Sequence, residues 1–168
     1  MDAAALGFPI LVALIAFALL FDFLNGLHDA ANSIATVVAT RVLRPQTAVI
    51  WAAFFNFIAF AVFGLHVAQT VGTGIVSAGV VDGGVIFGAL SGAIVWNVVT
   101  WNLGIPSSSS HALIGGLTGA AVAKAGLGAV IYGGLGLTAL GILLSPLLGF
   151  VLAQVLVVIV HWASPGTA

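Results

Sequence analysis

The chain has 168 residues, of which 62 % are hydrophobic and 4 % charged, with a net charge of −1. A soluble domain carries about 25 % charged residues, so this composition, with a mean hydropathy of +1.31, excludes a water-coated globule. Cysteine and basic runs are absent, which removes disulfide frameworks, thiolate metal sites and nucleic-acid binding from consideration.

Stretches without Asp, Glu, Lys or Arg run Ala3–Phe21, Pro45–Val81, Gly83–Ala123 and Ala125–Ala168. At about 20 residues per bilayer crossing they predict an all-α, polytopic membrane protein with about five to six membrane segments. Residues 1–168 read as a single transmembrane domain. The chain begins Met1-Asp2 without a positive n-region, so its first apolar run reads as a retained span rather than a signal peptide.

In chain order, the first span is expected at Ala4–Leu24, followed by a polar cluster and a short small-residue segment, Ala30–Val42. Arg41, Arg44 and Pro45 mark a loop, and Thr47–Leu65 forms a second span. The glycine-studded stretch Val71–Gly84 reads as a loop or short hairpin. Gly83–Leu103 crosses again, Gly104-Ile-Pro106 breaks the helix, and Ser107–Ala125 resumes it. Leu135–His161 is the last long apolar element, with a kink expected at Pro146. Paired basic residues at Arg41 and Arg44 hint that their loop is cytoplasmic.

Two polar clusters interrupt this background. In the first, Asp22, Asn25, Asp29, Asn32 and Thr36 recur at helical spacing and line one face. A face of that kind points to a bundle interior or an aqueous cavity, because ionisable groups are costly in lipid. Its carboxylates and amide carbonyls are hard oxygen ligands, so Asp22 and Asp29 are candidates for holding Na⁺ or carrying a proton. Asn25 and Asn32 offer carbonyl oxygens to a cation or N–H donors to an anion. Gly26 is expected to permit an unwound turn, as in discontinuous transporter helices. His28 falls off the stripe, where packing and proton carriage are equally good readings. The ordinary alternative, a hydrated loop after the first span, does not account for a stripe that continues to Thr36.

The second cluster is Pro106 followed by Ser107, Ser108, Ser109, Ser110 and His111. Proline is favoured at the first position of a helix, so the serines are expected in a first turn whose backbone N–H groups lack intrahelical partners. A helix start of that kind, rich in hydroxyls, is a ready anion site. Ordinary N-capping is the alternative. Ser107 and His111 at i, i+4 also suggest a nucleophile and base, but no third group or Gly-x-Ser-x-Gly elbow supports catalysis, and no enzyme is expected. An oxyanion site without Arg or Lys needs positive charge from elsewhere, and a co-bound cation would supply it.

Asn25-Gly-Leu-His-Asp29-Ala-Ala-Asn32-Ser-Ile-Ala-Thr36, together with Trp96-Asn97-x-x-Thr100-Trp101-x-x-Gly104-x-Pro106-Ser-Ser-Ser-Ser-His111, resembles the inorganic phosphate transporter (PiT) family from about Phe17 to Ala125. The resemblance implies a secondary transporter of inorganic phosphate coupled to Na⁺ or H⁺, multi-pass in the cell (inner or plasma) membrane and surrounded by lipid, with no cofactor beyond the coupling ion. Phosphate would be held by Ser107, Ser108, Ser109, Ser110, His111 and Asn32. The cation would be held by Asp22, Asn25, Asp29, Asn32, Thr36 and Asn56, with Asn56 standing where animal members carry a functional Glu. The family resembles two halves of inverted topology, each with both motifs, and this chain carries one copy of each. It is therefore expected to act as a half-transporter needing a second copy or a partner chain. The alternatives are an inactive fragment or a structural subunit, and a passive anion channel.

Overall fold

A computed structural model describes residues 7–63 and 74–163, and among them the protein is helical. Helix α1 spans Phe8–Ala39, α2 Pro45–Phe63, α3 Gly83–Leu103, α4 Ser109–Ala125 and α5 Tyr132–Ala163, with 3-10 turns at Ala78–Val80 and Leu127–Ala129. Three of these, α1, α3 and α5, are long and apolar enough to cross a membrane. The broken element lies at Gly104–Ser108, between α3 and α4. The start of the first expected span (residues 4–6), the end of the second (64–65), the start of the glycine-studded stretch (71–73) and the tail (164–168) lie outside the described residues.

Helix α1 differs from the expected pair of segments. It is one helix of 32 residues that runs through the first polar cluster without unwinding at Gly26. No proline interrupts it after Pro9, and one interior glycine costs only about 1 kcal/mol, which the surrounding Leu and Ala residues outweigh. At 1.5 Å per residue the helix is about 48 Å long, well beyond a hydrocarbon core of about 30 Å. It ends where Arg41 adopts φ 60°, a left-handed conformation, so that Val42 N–H reaches Val37 O at 3.1 Å and Arg41 N–H reaches Val38 O at 3.0 Å. Pro45 then opens α2, which packs back on the second half of α1 with Ala48 buried against it.

Helices α3 and α4 form an antiparallel hairpin. Gly104 takes φ 65°, which a side chain would strain, and it donates to Trp101 O at 3.1 Å while Ile105 N–H reaches Thr100 O at 2.9 Å. Pro106 therefore follows a helix C-terminus rather than starting the next helix. Ser108 caps α4, accepting from His111 N–H at 3.4 Å. Close approach of the two helices depends on small residues: a Cβ on Gly116 would lie 2.4 Å from the Ala89 carbonyl oxygen, and one on Gly88 would lie 3.2 Å from Ala120. The base of the hairpin is stitched by Ser77 N–H to Ala129 O and Ile131 N–H to Ile75 O, each 2.9 Å. Lys124 adds an ion pair to Asp82 at 2.6 Å and donates to Val80 O at 2.9 Å.

Helix α1 lies on this hairpin. Phe21, Leu90 and Ala93 form a buried cluster flanked by Phe17, Ala18, Ile86, Ile94, Ala112 and Leu113. Phe17 stacks on Phe87 with ring centroids 5.2 Å apart. These elements belong to one compact unit ending at Ile131, and α5 is a second unit. Helix α5 begins at Tyr132, earlier than the expected Leu135, and continues as one helix through Pro146. Its exposed large side chains are mainly leucine, valine and isoleucine, a composition suited to a membrane span.

Candidate functional site

The two polar clusters meet at one point. The Ser109 hydroxyl, at the first residue of α4, donates to the Asn25 carbonyl oxygen on α1. Ser109 is 3 % exposed and Asn25 is half-buried, so this contact is partly shielded from the surroundings. It exists because Asn25 stands one turn after Phe21 on the face that packs on α3 and α4, while Ser108 caps α4 and turns Ser109 inward. The backbone N–H groups of the first turn, including those of Ser109 and Ser110, have no intrahelical acceptors and leave a positive dipole end at this contact.

Around the contact, the hydroxyl run is spread over different surroundings. Ser107 accepts from the Trp96 indole N–H at 3.0 Å, which ties the break to the preceding helix. Ser107 and Ser108 are half-buried, whereas Ser110 and His111 are exposed. His111 and Trp96 line a cavity of about 470 Å³ between α3 and α4, floored by Gly92, Gly115 and Gly116.

The stripe on α1 is brought to the serines only in part. Asp22, Asp29, Asn32 and Thr36 are exposed, whereas Asn25 is half-buried and makes the contact with Ser109. Asn56 lies elsewhere, in a cavity of about 240 Å³ between α1 and α2 that Ser33, Ile34 and Trp51 also line. His28 bonds its Nδ1 to Leu24 O at 3.1 Å, and its Nε2 is buried without a partner. Among the described residues, no group of three His, Cys, Asp or Glu side chains is placed to hold a metal ion.

One buried polar residue escaped the reading of site residues. Asn97, on α3, is 1 % exposed and both of its side-chain polar atoms lack a partner. Its signal was an amide in the middle of an apolar helix, within the Trp96-Asn97-x-x-Thr100 motif. The adjacent Thr100 hydroxyl is satisfied by the backbone, donating to Trp96 O at 2.9 Å and Asn97 O at 3.1 Å.

Comparison with known proteins shows what this chain is similar to. The chain is 69 % identical over 159 residues to a probable low-affinity inorganic phosphate transporter of Rhizobium meliloti (strain 1021), covering 95 % of this chain and 48 % of that protein. A protein of Bacillus subtilis (strain 168) with the same description is 46 % identical over 151 residues, covering 89 % of this chain and 45 % of that one. The chain thus spans about half the length of these relatives. A solved structure described as the sodium-dependent phosphate transporter matches with a TM-score of 0.83 at 30 % identity, covering 92 % of this chain and 40 % of that one. The profile of the phosphate transporter family matches residues 25–166, which is most of the sequence. This chain belongs to the phosphate transporter family.

Proposed function

We propose that the chain is one half of a secondary transporter that moves inorganic phosphate together with a cation across the cell membrane. The observation that carries this reading is the contact between Asn25 and Ser109, which joins the polar stripe of a spanning helix to a hydroxyl-rich helix start. In this reading, phosphate is held by the first-turn amides and hydroxyls of Ser107, Ser108, Ser109 and Ser110, with His111 and Asn32 at the margin. The cation is held by oxygens of α1, drawn from Asp22, Asn25, Asp29, Asn32 and Thr36. Asn56, separated from the serine turn in the α1–α2 cavity, fits a supporting role better than a ligand role.

The cation supplies the positive charge that a phosphate site without Arg or Lys lacks. Sodium is the better candidate than a proton, on the strength of the sodium-dependent structural neighbour. Because α1 and the α3–α4 hairpin present only one face of a pocket, a second half closes it, either another copy of this chain or a partner. Transport then proceeds by exposing the shared site to each side of the membrane in turn.

Radiolabelled phosphate uptake into proteoliposomes under an inward sodium gradient tests this. Uptake by the chain alone supports paired copies, and uptake only on co-reconstitution with the second half of a relative supports a separate partner. Absence of uptake in both, or uptake undiminished by Ser109→Ala and Asp29→Asn, overturns the proposal.

A further inference from the structure

Arg41 and Arg44 are two of the three basic residues of the chain, and both are exposed in the turn between α1 and α2. Among the described residues the ion pair joins Lys124 to Asp82, so neither arginine has an acidic partner. The nearest carboxylate along α1, Asp29, lies about 15 Å back from the helix end at Ala39. A guanidinium keeps its charge and is costly in hydrocarbon, so this turn stands at the level of the lipid headgroups.

Below the turn, α1 and α2 line the cavity of about 240 Å³. Leu43, between the two arginines in sequence, lines it at the turn, and Val37, Ala48, Trp51, Ala52 and Phe55 continue the apolar wall. Trp51 and Phe55 meet edge to face with ring centroids 5.1 Å apart, and Phe54 meets Phe55 in the same way at 5.4 Å. Trp51 and Phe55 are exposed, so this wall is an outer surface of the unit. Ser33 and Asn56 lie at the end away from the turn, and Ser33 returns its hydroxyl to Ala30 O at 3.1 Å. From Ala48 to Asn56 the wall runs about 12 Å along α2.

We propose that the Arg41–Arg44 turn and the α1–α2 cavity together bind one anionic phospholipid, its phosphate on the two guanidinium groups and an acyl chain along the apolar wall. The order of chemistries, cationic at the mouth and apolar below it, matches an amphiphile with a negative head. Guanidinium groups present paired N–H donors that fit phosphate oxygens, and basic pockets beside membrane helices attract anionic headgroups. In a bilayer the chain gains packing contacts rather than hydrophobic burial, so preference for one headgroup over another comes from the arginines. An inorganic phosphate ion would satisfy the arginines and leave the wall unused. The lipid site does not depend on whether the chain transports phosphate.

The test titrates the full chain in detergent with dioleoyl phosphatidylglycerol, and native mass spectrometry counts the lipids retained. Wild type is expected to retain one phosphatidylglycerol and to hold dioleoyl phosphatidylcholine about tenfold more weakly. Arg44→Gln should weaken phosphatidylglycerol about fivefold, and the pair Arg41→Gln with Arg44→Gln about thirtyfold, from the attraction each arginine adds near an anionic headgroup. Both should melt with wild type before lipid is added, because glutamine leaves the backbone strain at position 41 unchanged. Ala52→Phe, which fills the cavity and keeps both arginines, should also release the lipid. Equal retention of the two lipids overturns the proposal, as does wild-type affinity for phosphatidylglycerol in the double variant or in Ala52→Phe. Displacement of the lipid by excess inorganic phosphate assigns the arginines to a free anion instead, and a lipid-free dimer assigns the groove to a second copy; either result also overturns it.

Discussion

Replacing Gly116 by alanine tests the packing on which the site depends. A Cβ there would stand 2.4 Å from the Ala89 carbonyl oxygen, 3.2 Å from its carbon and 3.3 Å from its Cα. Comfortable contacts between non-bonded heavy atoms lie near 3.5–4.0 Å, so the helices must separate by about 1 Å. The obstructing atoms are backbone, so no rotamer change relieves the clash. Overpacking of this kind costs about 1–3 kcal/mol, or about 2–12 °C in melting temperature at roughly 2–4 °C per kcal/mol for a chain of this size. Separation also pulls Ser109, two turns back on α4, away from Asn25, so phosphate binding should weaken in the same variant. Gly119→Ala is the control: nothing lies within 4 Å of its added carbon, and alanine improves helix propensity by about 1 kcal/mol. Thermal unfolding of both variants in nanodiscs decides the matter. A Gly116→Ala protein that melts with wild type or with Gly119→Ala would refute the close α3–α4 approach.

Three further outcomes follow from named contacts. The Lys124 ammonium beside Asp82, helped by the Val85 N–H, holds the Asp82 carboxyl below the usual carboxylate range. Because the folded state lowers this pKa, its contribution is complete above the ordinary carboxylate value and is lost as pH falls through the lowered one. Melting curves of wild type and Asp82→Asn should therefore differ at neutral pH and converge in strong acid. Arg41→Gly relieves a left-handed conformation that costs about 1–2 kcal/mol in any residue with a Cβ, so it should raise the melting temperature; a clear fall would refute the strain. Trp96→Phe keeps the ring but removes the donor to Ser107, with an expected loss of about 0.5–1.5 kcal/mol and weaker phosphate binding in an equilibrium radioligand assay.

Much of the fold was legible from composition and punctuation. Runs without charge marked α2, α3, α5 and the first half of α1, and Gly104 with Pro106 marked the break between α3 and α4 to within a few residues. The capping residue was not legible: Pro106 suggested itself as the helix start, but the left-handed Gly104 places it in the turn and leaves capping to Ser108. The continuity of α1 through Gly26 was likewise missed, because a glycine marks where a helix is weak and packing determines whether it breaks there.

For the site, helical spacing identified Asp22, Asn25, Asp29, Asn32 and Thr36 as one stripe, and the serine run stood out as the longest hydroxyl cluster. Spacing along one helix shows which residues share a face, and this much depends on local geometry alone. Which members meet depends on the register between helices, and that is set by close approaches such as Gly116 on Ala89. That register selects Asn25 for Ser109, leaves Asp22 and Asp29 exposed, and buries Asn97. Local chemistry thus named the polar groups that are candidates for binding, whereas the meeting of Asn25 with Ser109 required α1 and α4 to be held at fixed heights against each other.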